Sequence, residues 1–211
     1  MKKIMLTSTG LSTDRAQEAF LSMVDAPITD NRVCIIPTAT VHLKEQHPRI
    51  RQAIGQFRAL GFGSIDCVDI EHRNPDALSG YDVFYIGGGN PFHLLQAFRR
   101  SGADIALHTL ANTGAILIGV SAGALVLGPD LAVAEVFTPE MRLSDQNTGA
   151  ALGIVPFPFM PHADREDLFP GDTPISDRLQ SLKRRRSVRV EGIRDSEFIL
   201  LDKGKIGKFR G

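Results

Sequence analysis

The chain has no tryptophan, two tyrosines and only two cysteines in 211 residues. Two cysteines cannot build a disulfide framework, and no Cys-x-x-Cys pair offers a zinc site. Cys34 and Cys67 fall inside apolar runs and are expected as buried, reduced thiols. An excess of either charge is also missing. Lys plus Arg and Asp plus Glu number 24 each, so the formal net charge is zero, whereas nucleic-acid binders carry a basic excess. The run Lys183-Arg184-Arg185-Arg186 lacks interleaved aromatics and reads as the solvated end of a helix. No apolar run reaches the length of about 18 residues that a membrane-spanning helix needs. The opening MKKIMLTSTG offers only Ile4 to Thr7 before polar residues begin, short for the apolar core of a signal peptide. A cytoplasmic protein with neither membrane nor nucleic acid as partner is expected.

What is present is alternation of short apolar runs with helical patterns. Ile4 to Thr7, Val33 to Pro37, Ile65 to Ile70, Val83 to Ile86 and Ala115 to Val120 read as strands. Between them, Asp14 to Val24, Pro48 to Leu60, Pro91 to Arg100 and Ala103 to Ala111 place apolar residues at helical spacing. Strands that are apolar throughout, separated by helices, imply a parallel sheet covered on both faces. The expected fold is therefore α/β, a three-layer sandwich with a mostly parallel sheet, in a single domain over residues 1–211. Leu131 to Pro161 shows no clear helix and reads as strands plus an active-site loop. Ile175 to Arg185 reads as a helix, and Ser187 to Ile193, Phe198 to Leu201 and Lys205 to Phe209 as short strands.

The sharpest feature is Gly119-Val120-Ser121-Ala122-Gly123, which follows a strand and precedes a helix-compatible run. That is the context of a nucleophile elbow. A nucleophile there projects from a tight turn, and its neighbours must be small to clear the adjoining strand and helix. Ser121 needs a base. His42, His47 and His72 lie in polar stretches, and His93 and His108 lie within helical patterns. His162 follows the apolar run from Ile154 to Met160, where a parallel-sheet enzyme places catalytic groups. The base must be oriented by a carboxylate. Asp130, Glu135, Glu140, Asp145 and Asp164 are candidates, and spacing does not choose among them. Gly87-Gly88-Gly89-Asn90 follows the preceding strand and can aim N–H groups at an oxyanion. It lacks both GxGxxG and GK[ST], which disfavours nucleotide binding.

These residues, with Pro91-Phe92-His93-Leu94-Leu95, the extension of the elbow to Ala124, and Pro161-His162, resemble peptidase family S51 over roughly residues 80–165. That family includes peptidase E, an aspartyl dipeptidase, and cyanophycinase. The resemblance implies a class I glutamine amidotransferase-like sandwich and a triad in the order Ser, acid, His. It gives Ser121 and His162 the outer roles. Thr138-Pro139-Glu140-Met141 resembles the stretch that carries the acid, so Glu140 is selected, with Glu135 and Asp164 as alternatives. Gly88 or Gly89, together with Ala122, would form the oxyanion hole, and Asn90 and Asp164 would touch substrate. The implied activity is serine exopeptidase action on small peptides, dipeptides with an N-terminal Asp among them, without metal or organic cofactor. Arg142, Arg165 and Arg178 are the nearby cations that could read an aspartyl side chain. The alternatives are hydrolysis of β-aspartyl-arginine peptides, as in cyanophycinase, and a non-catalytic binding protein on the same fold. Some members of the family are homodimers, which extends that expectation here.

Overall fold

The computed structural model describes residues 2–25, 27–142, 149–186 and 190–211. Five strands lie parallel to one another: β1 (Lys3–Thr7), β2 (Arg32–Ile36), β3 (Ser64–Cys67), β4 (Val83–Ile86) and β5 (Ile116–Val120). Between them run α1 (Asp14–Leu21), α2 (Pro48–Ala59), α3 (Pro91–Ser101) and α4 (Ala103–Thr113). After β5 come α5 (Ala122–Leu127), α6 (Ala132–Phe137), the short β6 (Phe159–Met160) and α7 (Ile175–Arg186). The described chain ends with β7 (Glu191–Gly192), β8 (Glu197–Asp202) and β9 (Lys205–Arg210). The main sheet has seven strands in the order β3-β2-β4-β5-β1-β8-β9, of which β8 and β9 run antiparallel to their neighbours. Strands β6 and β7 form a separate parallel pair.

Period-2 alternation sorts each strand between two cores. Met5, Val33, Ile35, Val83, Tyr85, Ile116 and Ile118 pack with Phe20 of α1 and with Ile50 and Phe57 of α2. Ile4, Leu6, Cys34, Ile36, Phe84, Ile86 and Leu117 point the other way, onto α3 to α7. With apolar residues on both faces, the central strands read as continuous hydrophobic runs, and three layers result. No helix among the described residues is long and apolar enough to cross a membrane.

The expected elements reappear with shifts that have local causes. Strand β3 stops at Cys67 because Asp69 caps a turn, its Oδ1 accepting from the Glu71 N–H at 3.3 Å. The expectation of no helix between Leu131 and Pro161 is corrected by α6, which Asp130 starts by accepting from the Ala132 N–H at 2.9 Å. The strand expected from Ser187 to Ile193 is confined, among the described residues, to Glu191–Gly192. The Lys183-Arg184-Arg185 side chains are exposed at the end of α7.

Candidate active site

The carboxyl ends of β1, β4 and β5 meet at one crevice, the position where open α/β sheets bind ligands. Strand β5 delivers Ser121 there with φ +50° and ψ −111°, in a region that non-glycine residues rarely occupy. The turn is clamped from both sides. Ser121 N–H donates to the Thr7 carbonyl at 2.9 Å, and the Ser121 carbonyl accepts from Ala124 and Leu125 at 3.0 Å. The small neighbours are sterically required. A Cβ on Gly119 would come within 2.8 Å of Ala124 Cα, and one on Gly123 would overlap the Ile86 carbonyl.

Ser121 Oγ lies 3.2 Å from His162 Nε2, and His162 Nδ1 lies 2.5 Å from Asp195 Oδ1. The His162 side chain is 15% exposed and that of Asp195 24%, shielded yet reachable from the crevice. His162 also has positive φ, +55°. Backbone strain at both Ser121 and His162 persists only where surrounding structure holds it. Here the β6–β7 pair does so. Ile193 N–H donates to Met160 O at 3.0 Å and Ala163 N–H to Ile193 O at 2.8 Å, which lays the His162 turn beside the turn that carries Asp195. The exit of β1 braces the other side. Ser8 Oγ accepts from the His162 N–H at 2.9 Å, and Thr9 Oγ1 donates to the Asp195 carbonyl at 3.0 Å.

The carboxylate that meets His162 therefore corrects the sequence-based choice. Glu140 is exposed in the turn Pro139–Met141, and the histidine's partner is Asp195, which follows it in the chain. Glu135 lies on α6 and Asp130 precedes it, accepting from the N–H of its first residue, Ala132; Asp145 lies outside the described residues. The two residues expected at the substrate, Asn90 and Asp164, make hydrogen bonds within the protein. Asn90 caps α3, its Oδ1 accepting from Phe92 and His93 N–H, while its Nδ2 donates to the Met141 carbonyl. Asp164 accepts from the Asp195 N–H at 3.0 Å, so it holds the acid's turn. Sequence reasoning missed Asp195, Ser8 and Thr9. The available signal for Asp195 was an acid in the polar turn Arg194-Asp195-Ser196-Glu197 between two strands.

Arg165 joins this group. Its Nη1 lies 2.9 Å from Asp195 Oδ2, while Nε and Nη2 grip both oxygens of Asp167 at 2.8 and 2.7 Å. The hydrogen bonds from Arg165 hold the Asp167 carboxyl below its ordinary range, and the two carboxylates raise the Arg165 guanidinium in return. Both groups stay charged under all ordinary conditions.

Gly88 and Gly89 separate in role. A Cβ on Gly88 would stand 3.1 Å from Ser121 Cβ, so this residue faces the nucleophile. Gly89, at φ +138°, passes so close to the Ala39 carbonyl that a Cβ would overlap it. Ala122 is the first residue of α5, where N–H groups have no acceptor within the helix. Two compartments flank Ser121 and His162. One, of about 250 Å³, lies beside α2 and is lined by Thr9, His47, Arg49, Gln52 and Gln56 among others. The second, of about 290 Å³, lies between α6 and the segment after His162. Leu168 borders both.

The chain is similar to several known peptidases. A peptidase E of Streptomyces coelicolor is 28% identical over 177 residues, covering 81% of this chain and 68% of that protein. An uncharacterized peptidase of Pasteurella multocida is 28% identical over 166 residues, 77% of each chain. The crystal structure of a candidate peptidase E from Listeria monocytogenes EGD-e superposes with a TM-score of 0.77 at 23% identity, covering 100% of this chain and 98% of that one. A peptidase from an acI-B1 Actinobacterium superposes at 0.71 and 16% identity, covering 100% and 88%. These two show the fold. The sequence profile of peptidase family S51 matches residues 4–208, and the chain belongs to that family of serine-type peptidases.

Proposed function

We propose that this peptidase is a serine exopeptidase of small peptides, with Ser121 as nucleophile, His162 as base and Asp195 as the orienting acid. The observation that carries the reading is the unbroken contact from Ser121 Oγ through both ring nitrogens of His162 to Asp195, at 3.2 and 2.5 Å. Ser121 Oγ attacks the scissile carbonyl carbon while His162 Nε2 takes its proton. The carbonyl oxygen becomes an oxyanion facing the Gly88 and Ala122 N–H groups. Fixed donors there cost no reorganisation as charge develops. Collapse breaks the C–N bond, and His162 returns the proton to the leaving amine. Water, deprotonated by His162, then releases the acyl group from Ser121. Asp195 holds the imidazole with Nδ1–H toward the carboxylate and stabilises the imidazolium.

Short peptides are the substrates that fit. The compartments, of about 250 and 290 Å³, sit at the lower end of the roughly 300–1,000 Å³ of sites for drug-sized ligands, which favours small substrates. The test is release of free amino acid from a dipeptide panel by the wild type and by Ser121→Ala. The variant is expected to lose at least about 10⁴-fold in kcat. Hydrolysis that survives in the variant, or that is absent from both for peptides of any length, defeats the reading.

A further inference from the structure

The two compartments beside Ser121 differ in chemistry. The one between α6 and the segment after His162 is walled by Leu125, Val133, Ala134, Phe137, Met160 and Phe169. Its charged lining residue is Glu140, and its wall contains no Lys or Arg among the described residues. Two of the cations that the sequence offered for an aspartyl side chain, Arg165 and Arg178, are committed elsewhere. Arg165 is spent on Asp167 and Asp195. Arg178 lies over the Phe137 ring with its guanidinium carbon 4.6 Å from the centroid, and it donates to the Phe169 carbonyl. It thereby braces two walls of the compartment without lining it. Phe137 and Phe169 themselves meet edge to face, with centroids 5.6 Å apart. The α2 side also has apolar walls, Ile50 and Val120 among them, but adds Arg49 and His47 beside two glutamines.

Resting on the serine-exopeptidase reading, we infer that the α6 compartment selects an apolar substrate side chain. Acidic or polar side chains are accepted on the Arg49 side of the scissile bond. The substrate class is a short peptide with an aliphatic or aromatic residue on one side of the bond and a polar or acidic residue on the other. A carboxylate placed in the α6 compartment would be desolvated without a cation and would face Glu140, whereas an apolar side chain gains by leaving water.

The experiment measures kcat/KM for Leu-Ser, Ser-Leu, Asp-Ser, Ser-Asp, Leu-Asp, Asp-Leu and Asp-Asp. At the position that occupies the α6 compartment, leucine is expected to exceed aspartate by about 100-fold, and Asp-Asp is expected to be the poorest of the set. Ala134→Leu, which fills the compartment, is expected to reduce the preference for leucyl over alanyl peptides about tenfold, within the range of one methylene-scale change in a pocket. Ala134→Arg is expected to shift the preference toward aspartyl peptides. Circular dichroism and a melting curve check that each variant folds. Preferred cleavage of Asp-Asp or of other peptides lacking an apolar residue overturns the inference while leaving the serine mechanism standing. If no peptide is hydrolysed, calorimetric binding of the same dipeptides to the Ser121→Ala protein decides the inference separately. Leucyl peptides binding at least about tenfold tighter than aspartyl ones supports it, and equal or reversed affinity sinks it.

Discussion

Asp195 Oδ1 lies 2.5 Å from His162 Nδ1 across 33 residues of chain, brought there by the two-residue pairing of β6 with β7. The order along the sequence is thus Ser, His, Asp. The geometry predicts a sharp contrast between two isosteric changes. Asp195→Asn is expected to lower kcat by up to about 10⁴-fold, because an amide favours the wrong imidazole tautomer. Glu140→Gln, at the rim of the apolar compartment, is expected to change kcat by less than about tenfold. Steady-state kinetics on one good dipeptide checks both. A larger loss in Glu140→Gln than in Asp195→Asn would restore Glu140 as the acid.

Arg165 contacts the second oxygen of Asp195 at 2.9 Å and touches neither compartment, so it acts through the acid as a positioning residue. Arg165→Met keeps much of the stem and removes the fork. The expected result is a fall in kcat of about tenfold with KM little changed, since only the orientation of the Asp195 carboxylate is relaxed. Arg165→Lys is expected to recover part of the loss, because a point charge replaces one contact but not the two-pronged grip on Asp167. A variant in which KM rises and kcat stands still would place Arg165 in substrate binding instead.

Gly123 has no room for any side chain, since its Cα faces the Ile86 carbonyl at the end of β4. Gly123→Ala must push β4 and α5 apart at the base of the elbow. We expect a loss of about 2–4 kcal/mol in unfolding free energy, in the range of overpacking combined with backbone displacement. Activity should fall with it, because α5 carries Ala122. Gly114 is the control. It sits at φ +108° with open space around its Cα, so Gly114→Asn meets backbone strain but no clash, should cost about 1–2 kcal/mol and leave activity intact. Denaturant titration of both variants measures the difference.

The elements before residue 125 were legible because the central strands β1, β2, β4 and β5 are apolar on both faces and each helix shows a 3.6-residue stripe. Ser121 was legible because its turn admits only small neighbours, and His162 because it leaves an apolar run. The acid was not, for a physical reason. Asp195 reaches His162 through a pair of two-residue strands whose sequence, Phe159-Met160 against Glu191-Gly192, carries no periodicity to read. Family resemblance then directed attention to the interval between Ser121 and His162, where Glu140 stands at the rim of the site. Helix α6 escaped notice because six residues, Ala132 to Phe137, are fewer than two turns and nearly all are apolar. Asn90 was expected at the substrate, beside the glycine run it ends. Its amide also caps α3, which the following Pro91 at the first helical position could have signalled.

The last prediction concerns stability away from the crevice. Lys44 Nζ lies 3.1 Å from Asp69 and 2.6 Å from Glu71, crossing the acidic cluster that also includes His72. The imidazoles of His93 and His72 stand 3.5 and 3.9 Å from Glu71. Burial alone would raise the Asp69 carboxyl, but hydrogen bonds from the Thr38 hydroxyl, Lys44 and the Glu71 N–H outweigh it and lower it from 3.8. The Lys44 hydrogen bond lowers Glu71 from 4.5. For Lys44 itself, partial burial works against the charge, and the two carboxylates overcome it and raise the ammonium above 10.5. Depressed carboxyls contribute stability above their unfolded values that disappears as pH falls through the folded ones. A raised ammonium contributes below its unfolded value and loses that contribution as pH climbs through the folded one. The stability difference between wild type and Lys44→Met should therefore be flat between about pH 5 and pH 10. It should shrink below about pH 4.5 and again above about pH 10.5. Because the side chains are one-fifth to one-third exposed, solvent screening holds the plateau to about 0.5–1 kcal/mol. Methionine is the right replacement, since it keeps an unbranched, uncharged stem at this position of φ +47°. Urea titrations across that pH range give the profile, and a difference that grows on acidification would show that the network does not carry the ion pair's stability.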